Sequence, residues 1–174
     1  MSFKLKFLPL MVILAGAIAT GNAQTTAPKY GHMNLGNLLE SMPETKKATD
    51  DLKIFADALA AKDDSLTKAF QAAYAKLEQD YNAGVLTPVQ AQQQQEALQK
   101  QQQLIQQFEQ DAQNQVNAKR DELLQPILTR VEEAVKTVAK DNGYLMIFDT
   151  SSGAMLFAAD ADDVTALVKK QLGM

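Results

Sequence analysis

The sequence predicts an α+β protein that is mostly α: a long antiparallel helical hairpin, a coiled-coil-like tentacle, projecting from a small β-containing trimerisation body. Three observations predict it. Apolar residues recur in steps of three and four from Ala48 to Tyr81 and again between Leu98 and Val138, with "NAGVLTP" separating the two series. Two short apolar runs, "YLMIF" and "AMLFAA", stand near the C-terminus. The chain has no cysteine, so no disulfide can staple a small body together.

The chain opens with Lys4 and Lys6, an apolar run of 13 residues from Phe7 to Ala19, and the small residues Gly21 and Ala23. This pattern predicts a secretory signal peptide over residues 1–23. The run is shorter than the roughly 20 residues of a membrane span, and Pro9 interrupts it. With no cysteine at the cleavage region, a lipid anchor of the lipoprotein type is excluded. The expected location is outside the cytoplasm, soluble, and in the periplasm of a double-membraned bacterium.

Residues 24–44 supply an expected strand and turn of the body. "YGHMN" reads as a short strand with Tyr30, His32 and Asn34 on one face, and "LGNLLESMPE" as a helical turn that breaks at Pro43. The arm, residues 45–125, follows. Its outgoing seam runs Ala48, Leu52, Phe55, Leu59, Leu66, Phe70, Ala73, Leu77, Tyr81, close to a heptad repeat with a phase slip near Leu66. At 1.5 Å per residue the segment from Thr45 to Asn82 is about 57 Å long, too long for a domain of this size to enclose.

The turn lies near residues 82–88, where Gly84 suits a helix C′ position, Thr87 an N-cap and Pro88 a first helical turn. So short a link makes antiparallel neighbours. In the returning limb 14 of the 26 residues from Gln90 to Gln115 are Gln, yet Leu98, Ile105, Phe108, Ala112 and Val116 keep helical intervals, and Gln is a good helix former. That predicts helix over disorder.

Residues 126–174 complete the body: a helix resuming after an expected kink at Gln125 and Pro126, a β-hairpin of "YLMIF" and "AMLFAA" around "DTSSG", and a final helix capped by Asp160 or Asp162. Both hairpin strands are apolar on both faces and need cover on two sides. A body of roughly 64 residues rarely supplies that alone. Second and third copies of the chain are the simplest cover.

Chemistry is sparse, and no catalytic, cofactor-binding or metal-ligating residue is assigned. The one histidine, His32, reads as a structural strand residue, and the carboxylates of "ADADD" lack the Gly and distant Glu of a calcium loop. Removing Lys4 and Lys6 with the leader leaves 15 basic against 21 acidic residues, a net charge of −6, which argues against a nucleic-acid partner.

"YGHMNLGNLLESMPE", the Gln-, Lys- and Ala-rich helical middle, and the block from "LLQPILTRVEEAV" through "DNGYLMIFDTSSGAMLFAADADDVTALVKKQLG" together resemble the Skp/OmpH family of periplasmic chaperones across the mature chain. The resemblance implies a homotrimer in which a β-rich body carries three tentacles around a cavity that holds unfolded outer-membrane proteins. It also implies ATP-independent holding without enzymatic activity. Family members commonly carry a basic surface that meets acidic lipids and lipopolysaccharide; the balance of −6 here speaks against such a membrane-surface contact.

On this basis Phe55, Leu59, Leu66, Phe70, Tyr74 and Tyr81 are candidate client contacts, and Met33, Leu145, Ile147, Met155 and Phe157 are candidates for the trimer core. The competing reading at each arm position is packing of the hairpin seam. At the level of function, the competing class is a structural coiled-coil envelope protein or an adaptor with one dedicated partner.

Overall fold

Thr87 and Gln90 start the longest element of the protein: the Thr87 hydroxyl accepts from the Gln90 N–H while the Gln90 side chain accepts from the Thr87 N–H. This reciprocal box and Pro88 at the first helical position open α3, Pro88–Asn142, a helix of 55 residues. The computed structural model describes residues 27–174, so the expected signal peptide lies outside the described residues. Ahead of α3 come β1, Lys29–Met33, α1, Leu35–Ser41, and α2, Pro43–Asn82; after it come β2, Tyr144–Asp149, and α4, Thr165–Leu172.

The long helices α2 and α3 form the antiparallel arm. Arg130 pairs with Glu44, Lys62 lies over the Phe108 ring at 4.9 Å, and Tyr81 and Pro88 border one groove, so α3 numbers fall as α2 numbers rise. The connection turns where expected, with Gly84 at φ +68, a left-handed conformation that favours glycine.

Leu38, Met42, Val131, Val164 and Val168 are the largest fully buried side chains, and with Met33, Ile127, Ala134, Val138 and Leu172 they form one core. That core lies where α1 and α4 cover the α3 segment beyond Pro126. Asn34 caps α1 by accepting from the Asn37 N–H at 2.9 Å, and Arg130 ties the end of α4 down by donating to the Leu172 carbonyl at 2.6 Å.

The strands depart from the expected pairing. β2 pairs with β1 in parallel, across more than a hundred residues of sequence, with Gly31 opposite Ile147 and Met33 opposite Asp149. The expected hairpin with residues 154–159 does not form within the chain, and those residues carry no regular structure. The reason lies in "DTSSG". The Asp149 carboxylate accepts from the N–H groups of Leu35 and Ser151, and the Thr150 N–H donates to the Met33 carbonyl at 2.9 Å, which ties the loop to the β1–α1 junction. The chain then crosses to the far edge of β1, where His32 Nε2–H donates to the Ala159 carbonyl and Val164 N–H to the His32 carbonyl, both at 2.9 Å.

α3 is continuous through Pro126. Glu122, Gln125 and Pro126 all face solvent, so water can serve the carbonyl that Pro126 cannot reach, while the buried neighbours Ile127 and Val131 hold the next turn against the core. Asp160 and Asp162 do not cap α4. They lie in a 3-10 turn, and Asp163 instead accepts from the Thr165 N–H at 2.7 Å.

Gly31 is the tightest point of the sheet, since a Cβ there would sit 2.8 Å from Val164 Cγ1 and 3.1 Å from the Tyr144 ring. Gly31→Ala is therefore expected to destabilise the body by about 1–3 kcal/mol through overpacking, read as a lower urea midpoint.

Candidate functional site

The arm displays apolar surface rather than enclosing it. On α2, Phe55, Leu59, Leu66 and Phe70 are half-buried, while Tyr74 and Tyr81 are 49% and 63% exposed. From the other side, Leu98 and Ile105 of α3 are buried in the seam and Phe108 is half-buried beneath Lys62. The six expected contact residues thus divide: four share their surface between seam and solvent, Tyr74 gives about half of its surface to solvent, and Tyr81 gives most.

The physical cause is the partner face. Across from Phe70, Tyr74 and Tyr81, α3 presents Ala91 and a row of Gln beside a single apolar residue, Leu98, so the rings stay partly open to solvent. Near the arm's tip this leaves a groove of about 630 Å³ between the helices, with Phe70, Tyr74 and Tyr81 on one wall and Leu77 and Leu98 at its base. Gln92, Gln95, Gln99 and Gln102 line the opposite wall. The pattern was present in the glutamine tract as a run of intervals of three and four, but its position opposite the α2 rings depends on how the helices register.

Charge is distributed unevenly along the arm. Lys47 with Asp51, Lys53 with Asp57, Lys68 with Asp64 and Lys76 with Asp80 pair four residues apart along α2, which favours the helix and neutralises its flank. From Tyr81 to Gln95 no residue is charged. Val85 and Val89, 68% and 65% exposed, add apolar surface at that neutral tip that the seam pattern did not single out.

The body carries a second exposed apolar region. Met33 is 3% exposed and already partnered inside the chain's own core, and Ile147 packs against that core. Met155 is half-buried, whereas Leu145 and Phe157 are 63% and 85% exposed. Leu156, at 99%, and Met146 and Phe148 of β2 are exposed as well. Of the five expected trimer-core residues, Leu145 and Phe157 therefore have the most surface left for another copy. The outer edge of β2 has no strand beside it among the described residues.

Polar groups in the body serve structure. Burial pushes the Asp149 carboxyl up, but hydrogen bonds from Ser151 and the Leu35 N–H outweigh it and hold the group below the ordinary carboxylate range. Asp163 is balanced the same way, burial against the hydrogen bonds of Thr165 with a smaller contribution from His32, and is also lowered. Glu44 is lowered by its own backbone N–H and then by Arg130. Among the described residues no three His, Asp or Glu side chains gather as a metal site, and no helix is long and apolar enough to cross a membrane.

A long antiparallel arm with accessible apolar surface, carried on a small α+β body, is the architecture of a scaffold that binds other polypeptides. The family model described as "Outer membrane protein (OmpH-like)" matches residues 29–172. The chain belongs to that family, one of chaperones rather than enzymes. The chaperone protein Skp of Pectobacterium atrosepticum is 25% identical over 158 residues, covering 89% of this chain and 92% of that protein. The crystal structure of an OmpH-like outer membrane chaperone from Caulobacter crescentus has the same fold, with a TM-score of 0.71 at 17% identity over 99% of this chain and 90% of that one.

Proposed function

We propose that this protein is an ATP-independent periplasmic holdase, delivered by its leader peptide, that binds unfolded outer-membrane proteins as a homotrimer and prevents their aggregation before insertion. The observation that carries the reading is the arm's apolar face, left half-covered by a glutamine-rich partner helix. Soluble proteins seldom leave contiguous apolar surface open without an interaction to serve. Family membership and the likeness to Skp agree with it.

The expected mechanism is multivalent. Each client segment buried gains only about 25 cal/mol per Å² of apolar surface, so no single contact holds tightly. Three arms around one client turn later contacts into intramolecular events and raise the overall affinity. Phe55, Leu59, Leu66, Phe70, Tyr74 and Tyr81 supply these contacts, and release follows from the client's own folding.

The test is suppression of aggregation. At one trimer per client, the protein is expected to keep several unrelated denatured outer-membrane β-barrels in solution, read by light scattering after dilution from urea. Activity toward one client alone would favour an adaptor, and activity toward none would favour a structural envelope coiled coil; either result overturns the holdase.

A further inference from the structure

The glutamine stripe on α3 has a chemistry that solubility alone does not require. Gln92, Gln95, Gln99 and Gln102 are all exposed, share one helix face through steps of three, four and three, and line the tip groove opposite Phe70, Tyr74 and Tyr81. Glu78 is the one charged side chain lining that groove. A surface meant only to stay hydrated could carry Lys and Asp, as the flank of α2 does.

We propose that this groove binds a segment of unfolded polypeptide in extended conformation, gripping its backbone through the carboxamides while the rings take its apolar side chains. The inference rests on the holdase reading and names what part of a client is held. A carboxamide carries an N–H₂ donor and a C=O acceptor, so each Gln can serve either polar group of a peptide unit. A wall of Ala or Leu would instead leave peptide groups unsatisfied as they were buried. A charged wall would select among client side chains, whereas a neutral one accepts any sequence.

The dimensions agree. The stripe from Gln92 to Gln102 covers about 15 Å of helix, equal to four or five residues of extended chain at about 3.3 Å each. Alternate side chains of such a segment face the same way, toward the rings. Backbone pairing for affinity and side-chain pockets for preference is the division found where extended peptides are recognised.

The experiment uses the mature protein and two labelled neutral peptides of about eight residues with alternating Tyr and Ser, one unmodified and one N-methylated at alternate backbone positions. Fluorescence anisotropy is expected to show about tenfold weaker binding of the N-methylated peptide. A triple variant, Gln95→Met, Gln99→Met and Gln102→Met, keeps side-chain length and helix propensity and is expected to lose that discrimination. Circular dichroism checks that the arm remains helical. Binding to the unmodified peptide should change less than about twofold between 50 and 500 mM salt.

Equal binding of both peptides by the wild type, or tighter binding of the unmodified peptide by the Met variant, overturns the proposal. So does preferential binding of a neutral oligosaccharide such as chitohexaose. Aggregation suppression by the wild type, measured beside these assays, separates the failures. If suppression persists without backbone discrimination, the groove proposal fails and the holdase stands; if suppression is absent, the holdase itself fails.

Discussion

Replacing both Leu156 and Phe157 by Asp is expected to turn the proposed trimer into monomers at micromolar concentration while the arms stay helical. The two side chains are 99% and 85% exposed, and β2 carries further exposed apolar side chains, Leu145, Met146 and Phe148, with no strand at its outer edge among the described residues. Full burial of a Leu or Phe side chain is worth about 1.5–3 kcal/mol relative to exposure. Burying two per chain in a three-fold assembly is therefore worth on the order of 10 kcal/mol per trimer. Aspartate would lose that gain and would also have to bury a charge. Multi-angle light scattering reads the result directly. A wild-type chain that stays monomeric, or a double variant that keeps the mass of three chains, would sink the trimeric body.

The second large effect lies inside one chain. Leu38→Ala is expected to destabilise the body by about 2–5 kcal/mol, the range for truncating a buried Leu in a packed core. Leu38 is fully buried in a cluster with Met42, Val131, Val164 and Val168, and the seven-residue helix α1 delivers it there. A cavity at that point loosens α1 from the core that it shares with α3 and α4. Ile54→Ala on the arm, where the side chain is 68% exposed, is the control and should shift stability by less than about 0.5 kcal/mol. Urea unfolding at one fixed protein concentration compares them, because subunit association also moves the midpoint. An equal shift for the two variants would show that the assigned core does not hold the body.

The same division runs through the rest of the molecule. The arm was legible because its determinants act over a few residues. Apolar steps of three and four mark one helix face, Gly84 and the Thr87–Gln90 box mark the turn, and glutamine supplies helix propensity. The existence of exposed seam residues was also legible, from rings opposite Ala and Gln. Which rings they are was not: Phe55 and Tyr81 both belong to the apolar series of α2, yet one is half-buried and the other 63% exposed.

The body was legible in composition and misread in pairing. "YLMIF" was correctly a strand, and the run "AMLFAA" was expected beside it because two apolar segments around a Gly-containing loop ordinarily close on each other. Short-range signals could not register that Met33 and His32 offer carbonyls to Thr150 and Val164 from more than 100 residues away. Asp149 gave no sign that its oxygen would accept the Leu35 N–H rather than serve only its own turn.

By itself, then, the sequence determined a helical arm, its length, its turn and its neutral glutamine-rich limb, since helix period, capping and propensity are all set between neighbours in the chain. Tertiary structure alone decided the parallel pairing of β1 with β2, the passage of α3 through Pro126 and the exposure of Leu156 and Phe157. Those outcomes turn on which distant backbone group or apolar surface satisfies each partner first, and that competition is resolved only when the whole chain is packed.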